Sequence, residues 1–388
     1  VKEKYVYTLT EQQQAIVDRA KAIAEGVVAS NAVTADQEAR FPRASLDALA
    51  ADGFFGLTVP GEHGGMGEGL RTMCAVLDQL AQRCSSTAMI YKMHLCGVST
   101  YAAAGNRMAD VLRAVATGEH LSTLAWSEMG SRSQFWAPVS KPSRNGSGVV
   151  LHADKSFVTA AGEADGYVVS TQWVDGEGPT QSMLYLVLSG DDGIEVGTPW
   201  NGIGMRGNAS SPMKFEGVQV DPSRALSEEA KGMDAMLGIV LPVFMLGNAA
   251  ISVGICEAAT QATQAHITSA RFEHSDSKLS DLPNQRARLA EMRIETDRAR
   301  AHLVSVIDSM ENPGPMTQLL VLESKAAAAE SAAKVTEIGM RACGGAAFGR
   351  RVGLERQFRD ARASLVMAPT TDHVHEFIGR ALCGMELF

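Results

Sequence analysis

Cys343-Gly344-Gly345 and, after a short turn, Leu354-Glu355-Arg356-Gln357-Phe358-Arg359-Asp360-Ala361-Arg362 close a long helix-prone half of the chain. Immediately upstream, Ser324 to Val335 is rich in alanine, the strongest helix former. Farther back, Leu289, Met292, Thr296 and Leu303 recur at helical spacing, as do Ile251, Ile255, Ala259 and Ala262. The helical pattern sets in at about Asp234.

Before that point the grammar is different. Gly148 to Ala153, Tyr167 to Thr171, Met183 to Leu188 and Met213 to Val220 are short runs rich in β-branched residues. Clusters of Gly, Asn, Asp and Pro separate them, which predicts an antiparallel sheet domain. The first third is helical again. Thr10 and Gln13 form a capping box ahead of Ile16, Ala20, Ile23 and Val27. Further helices are expected over Ala44 to Asp52, stopped by Gly53, over Leu70 to Arg83, and over Ser85 to Ala104. The outline is therefore mostly α with a central β domain, divided into residues 1–120, 121–233 and 234–388.

Composition narrows the function. The chain has 388 residues, 45% hydrophobic and 20% charged, which suits a soluble globular protein. A net charge of −9 argues against a nucleic-acid partner or an anionic membrane surface. The six cysteines form no Cys-x-x-Cys pair and no zinc-type spacing, so no metal site is expected and a reducing, cytoplasmic setting is. The most apolar stretch, Met236 to Val253, is interrupted by Pro242, Gly247 and Asn248 and reads as a buried helix, with no membrane span. One G-x-G-x-x-G occurs at Gly202 to Gly207, but no helix pattern follows it, so it is read as a turn between strands and not as a dinucleotide fingerprint.

Five stretches in this order resemble the acyl-CoA dehydrogenase superfamily along nearly the whole chain. Gly53-Phe54-Phe55-Gly56-Leu57-Thr58-Val59-Pro60 with Gly64-Gly65-Met66-Gly67 is similar to the family's first connecting loop. Ala125-Trp126-Ser127-Glu128-Met129-Gly130-Ser131 is similar to its T-E-P-x-x-G-S-D segment, and Phe157-Val158-Thr159 stands where the family has W-I-T. Met205-Arg206-Gly207-Asn208-Ala209-Ser210 is similar to a further loop, and residues 343–362 match the family's G-G…E-R-x-x-R-D-A run. The resemblance implies an N-terminal helical domain, a β-barrel or sandwich, a C-terminal four-helix bundle, bound FAD, and a tetramer or dimer of like subunits. It also implies an acyl-CoA substrate and an electron-transfer partner or a flavin reductase.

On this resemblance Ser127, Phe157 and Thr159 face the flavin ring, and Arg271 reaches the FAD pyrophosphate of a neighbouring subunit. Arg341, Gly344 and Gly345 accommodate the adenosine diphosphate part, and Thr371 and His373 also contact FAD. His94 faces the flavin and substrate region; Ser131 touches the thioester; Arg132, where the family has an acid, pairs with an acidic substrate or lies in solvent. Trp136 is a pocket wall or a packing anchor, and Glu128 is expected to be structural.

One departure matters for the chemistry. Thioester dehydrogenation needs a carboxylate at the α-carbon, and Pro369 stands where most relatives carry that glutamate, while Met245 stands at the position a smaller branch uses. Asp372 is the nearest substitute base, set against a reading of it as a helix N-cap; His373 and Glu376 are farther alternatives. Three functions follow: oxidation of an acyl thioester with an unconventional base, a flavin monooxygenase or desulfinase-like reaction on the same fold, or a non-catalytic FAD-binding subunit.

Overall fold

Thr10 begins the first helix as expected, accepting from the Gln13 amide while the Gln13 side chain accepts from the Thr10 amide. The computed structural model describes residues 7–132 and 134–387. Helices α1 (Glu11–Ile23) and α2 (Ala29–Gln37) are joined without a break by a widened turn. They are followed by α3 (Arg43–Ala51), α4 (Leu70–Ala81), α5 (Ser85–Ala104) and α6 (Ala109–Ala116). Gly53 does end the second predicted helix, at φ 79°, a left-handed conformation that glycine adopts without strain. Helix α5 is buried on almost every face, so it serves as the central strut of the N-terminal half.

The middle of the chain forms two small sheets. One has the order β1-β4-β5, from Ser122–Ala125, Gly166–Gln172 and Ser182–Leu188. The other has the order β2-β3-β7-β6, from Ser143–Asn145, Gly148–Val158, Ser211–Val220 and Ile194–Val196. The expected antiparallel pattern holds except at β1, which runs parallel to β4 with Ser122 opposite Gly166. A parallel neighbour needs a long crossover, and here the chain supplies one through the 126–142 loop and the β2-β3 hairpin. Strand β3 continues past the predicted Ala153 to Val158, because Lys155 occupies an inward position instead of ending the strand.

The C-terminal half begins with the short α7 (Gly232–Ala235) and the long α8 (Leu241–Ser269), then a hairpin of β8 (Arg271–Phe272) and β9 (Ser277–Lys278). It continues with α9 (Pro283–Glu311), α10 (Thr317–Cys343), the single turn α11 (Gly345–Phe348), α12 (Leu354–Val366) and α13 (Thr371–Leu382). Helix α10 packs against α8, α9, α12 and α13. Buried Ala326, Ala328, Ala329 and Ala332 keep it close to its neighbours. Pro242, Gly247 and Asn248 do not interrupt α8. Pro242 lies in its first turn, where a missing N–H costs nothing. A Cβ at Gly247 would meet the Lys92 side chain at 2.6 Å, so this glycine sets how near α8 comes to α5. The stretch from Gly232 to Ser269 is thus long and apolar enough to cross a bilayer, but 72% of its most apolar window is buried inside the fold.

Candidate active site

A cavity of about 850 Å³ opens between the sheets and the helices. Met89 and Met93, one turn apart on α5, form part of one wall with Phe244 at the start of α8 and Met367 and Ala368 just beyond α12. The opposite wall comes from strand ends: Trp126 to Met129 after β1, and Ser156, Phe157 and Thr159 at the end of β3. The loop between β6 and β7 closes one side through Trp200, Met205 and Asn208.

The strand wall is held from behind. The Ser156 amide donates to the Ser127 carbonyl at 2.8 Å, tying the end of β3 to the segment after β1. Thr159 is fixed twice, its carbonyl accepting from the Thr123 hydroxyl at 2.8 Å and its own hydroxyl 3.1 Å from Ser210 Oγ. Trp126 stacks on Phe135 at 5.7 Å, while its indole N–H is buried without a hydrogen-bond partner. Phe157 is 65% exposed and meets Trp200 edge-on. The result is a mostly apolar face, with the buried Trp126 indole N–H left unpartnered within it.

Glu128 also borders the cavity, but its carboxylate is committed elsewhere. It receives Lys155 Nζ at 2.6 Å and the amides of Val139 at 2.5 Å and Ser140 at 3.1 Å, and the Ser140 hydroxyl as well. Lys155 also donates to the Ser170 carbonyl. Burial raises the Glu128 carboxyl, but the Lys155 ammonium and these donors outweigh it and hold the group below the usual range. Glu128 is structural, as the sequence suggests. It is the only carboxylate among the described residues lining the cavity.

The predicted site residues divide into groups. Ser127, Phe157, Thr159 and Arg132 line the cavity; Arg132 is exposed, in a left-handed conformation. Ser131 does not line it, and its hydroxyl donates to the Glu128 carbonyl at 3.3 Å. His94 is a correction. It is wholly buried against Phe55 and Tyr91, with Nε2 3.0 Å from the Phe55 carbonyl and Nδ1 accepting from the Ser122 amide at 3.0 Å. Both ring nitrogens are used within the core, so none is left for a substrate. Trp136 is a packing residue, edge-on to Phe135 and Phe377.

Asp372 is a second correction. It is exposed in the first turn of α13 and does not border the cavity, so it is not placed to take a substrate proton. It is not the helix cap either; Thr370 is, accepting from the His373 amide at 3.3 Å. Glu376 is likewise exposed. Pro369 is buried, its carbonyl accepting from Lys325. Thr371 and His373 lie beside this segment, away from the cavity lining, and the Thr371 hydroxyl and His373 Nδ1 are buried without hydrogen-bond partners.

Arg271, Arg341, Gly344 and Gly345 are remote from the cavity. All four are exposed at the end of the bundle where the β8-β9 hairpin and the start of α9 meet the end of α10. Arg271 pairs with Asp276 at 2.8 Å, and the Arg341 carbonyl accepts from Arg288 at 3.3 Å. Gly344 has φ 56° and turns the chain out of α10. The Gly202 to Gly207 segment is a loop between β6 and β7, as read from the sequence, and Met205 in it donates its amide to Asp360 at 2.6 Å.

Sequence reasoning missed Lys155, Asp360 and the uncommitted Trp126 donor. A signal existed for Lys155, since Leu151, Ala153 and Lys155 alternate onto one strand face.

Three comparisons bear on this arrangement. Residues 10–119 match the acyl-CoA dehydrogenase N-terminal domain, residues 123–218 the middle domain and residues 230–383 the C-terminal domain. Cyclohex-1-ene-1-carbonyl-CoA dehydrogenase of Syntrophus aciditrophicus is 25% identical over 380 residues, covering 96% of this chain and 90% of that one. A probable acyl-CoA dehydrogenase of Mycobacterium tuberculosis, FadE25, is 25% identical over 379 residues, covering 97% of each. The structure of butyryl-CoA dehydrogenase from Megasphaera elsdenii superposes with a TM-score of 0.90 at 20% identity, covering 97% of this chain and 99% of that one.

Proposed function

Because the chain belongs to the acyl-CoA dehydrogenase superfamily, we propose that it is an FAD-dependent oxidoreductase acting on the Cα–Cβ bond of an acyl thioester. The observation that carries this reading is the cavity itself, a strand wall facing an apolar helix wall across room for a planar ring and an acyl chain.

The residues present suit a flavin. Trp126 and Thr159 offer a buried N–H and a fixed hydroxyl beside Ser127, and Phe157 supplies an exposed aromatic edge. FAD bound here would supply a hydride acceptor for the β-carbon, and the α-proton would leave to water at the open side of the cavity, since no free carboxylate among the described residues lines it. The chain's own part is to bind and orient. Met89, Met93, Phe244 and Met367 hold the acyl chain and exclude water, and the Glu128–Lys155 pair keeps the Ser127 segment in register. No proton transfer is assigned to Glu128, which is saturated with donors.

Arg271 and Arg341, exposed at one end of the bundle, suit the diphosphate of FAD held by a second subunit. Exposed Phe348 and Val366 on the same half are apolar enough to be covered in a homo-oligomer. An electron-transfer flavoprotein is the partner that fits this chemistry.

The test is an anaerobic titration of the FAD-loaded protein with a panel of acyl-CoA esters. Bleaching of the oxidised flavin band is expected. Full FAD content with no bleaching by any ester would overturn the proposal and favour oxygen-dependent flavin chemistry, which NADPH with a flavin reductase would then reveal.

A further inference from the structure

Lys92 is fully buried on α5, in the same stretch of helix as the cavity-wall residues Met89 and Met93 but behind the lining, and its ammonium has no hydrogen-bond partner. Its Nζ lies 3.6 Å from the centre of the Phe244 ring, and that ring is a wall of the cavity. A second buried lysine makes matters worse. Lys325 of α10 is also fully buried and near enough to repel it, and its own Nζ donates to the carbonyls of Met367 at 3.0 Å and Pro369 at 2.5 Å. From α5 itself the buried Cys96 thiol interacts with it, and burial pushes that thiol up to about 12.

Buried charges in folded proteins are normally paired. An aromatic face attracts a cation but leaves three N–H donors unused. Burial pushes the Lys92 ammonium down to about 8, and an anion brought against it would favour the charged form. Lys325 cannot relieve it, whereas an anion entering the cavity could. Phe244 is half-buried and lines the cavity, so its ring stands between Nζ and the cavity and is the one group an anion must displace to reach the ammonium.

We propose that Lys92 is an anion-binding residue at the helix-side end of the cavity, and that the substrate is an acyl thioester whose far end carries a carboxylate. This deepens the thioester reading and rests on it. Lys325 has a separate task, holding the Met367 and Pro369 carbonyls and hence the Ala368 wall in place.

The test compares adipate with hexanoate, and adipoyl-CoA with hexanoyl-CoA, on the FAD-loaded wild type, Lys92→Met and Lys92→Arg. Binding is read by calorimetry and bleaching by absorbance. Wild type should bind the carboxylate-ended member of each pair roughly tenfold or more tightly, as expected for one charge-assisted contact. Lys92→Met should lose that preference while folding normally, and Lys92→Arg should keep much of it. Equal binding of adipate and hexanoate by wild type, or an undiminished preference in Lys92→Met, would overturn the proposal. Adipate binding that depends on Lys92, with no bleaching by either thioester, would sustain the anion site and overturn the dehydrogenase reading alone.

Discussion

Lys155 and Glu128 form an ion pair of 2.6 Å with the lysine wholly buried and the carboxylate nearly so. Lys155 projects from the inward face of β3, and Glu128 from the segment after β1 that borders the cavity. The pair therefore joins two sheets at the point where both contribute to the site, and the Val139 and Ser140 amides bring the following loop to the same carboxylate.

Removing the carboxylate should be costly. Glu128→Ala strands the Lys155 ammonium and two amides, and a loss of about 3–5 kcal/mol is expected from breaking a buried pair. Glu128→Leu combined with Lys155→Met should recover a substantial part of it, since no charge is left unpaired. Urea denaturation of the three proteins measures both effects. A Glu128→Ala protein as stable as wild type would show that the pair does not anchor the loop.

His94 carries a pH signature. Its Nδ1 accepts from the Ser122 amide, so protonation would set a second N–H against that donor. Burial pushes the imidazole down to about 3. The folded value lies below the unfolded one of about 6.5, so the stabilisation is present above that unfolded value. It is lost as pH falls towards the folded one, by up to about 1.4 kcal/mol per pH unit. His120, also lowered by burial, contributes in the same direction. His94→Gln keeps a donor and an acceptor without titrating. The slope of stability between pH 6 and 5 should be shallower in that variant by about one proton; identical slopes would contradict the assignment.

Much of this was visible in the sequence because it is local. The Thr10 capping box, the stop at Gly53 and the extent of Ser85–Ala104 follow from side-chain chemistry and spacing within a few residues. What was not legible depends on distant partners. Lys155 lies beyond the expected strand end at Ala153 and its partner Glu128 is distant in sequence, and the parallel pairing of β1 with β4 depends on where the intervening loop returns. His94 and Asp372 show the same limit in the site. Their residue types suit proton transfer, but only the fold reveals that one is sealed in the core and the other faces solvent.

Asp372→Asn consequently should leave thioester-dependent flavin reduction unchanged, because the side chain is outside the cavity lining. Single-turnover reduction in a stopped-flow instrument decides this. A loss of a hundredfold or more would return Asp372 to the role of base.

Asp360 links α12 to the cavity through one bond. Its carboxylate is fully buried and accepts the Met205 amide at 2.6 Å, and Met205 sits at φ 47° in the loop that closes the site. Burial raises the Asp360 carboxyl, with the Met205 amide and nearby arginines only partly offsetting it. Asp360→Ala leaves that amide without an acceptor at an expected cost of about 1–3 kcal/mol. It should also loosen the Gly204 to Asn208 wall, which would show as faster flavin release from the loaded protein. Asp360→Asn retains an acceptor oxygen and should restore slow release.

Trp126 separates binding from folding most directly. Its indole N–H is buried and unpartnered in the protein alone, a situation that costs stability unless a ligand accepts the bond. Trp126→Phe removes the donor but keeps the ring that stacks on Phe135. The apoprotein should be no less stable than wild type, because nothing bonded is lost. The FAD complex should be weaker by about 1–3 kcal/mol, roughly tenfold to a hundredfold in Kd, with a shifted flavin absorption band. Thermal unfolding with and without FAD, together with fluorescence titration, separates the two effects. An unchanged flavin affinity and spectrum would mean that the donor points to substrate or water, and would remove Trp126 from the cofactor site.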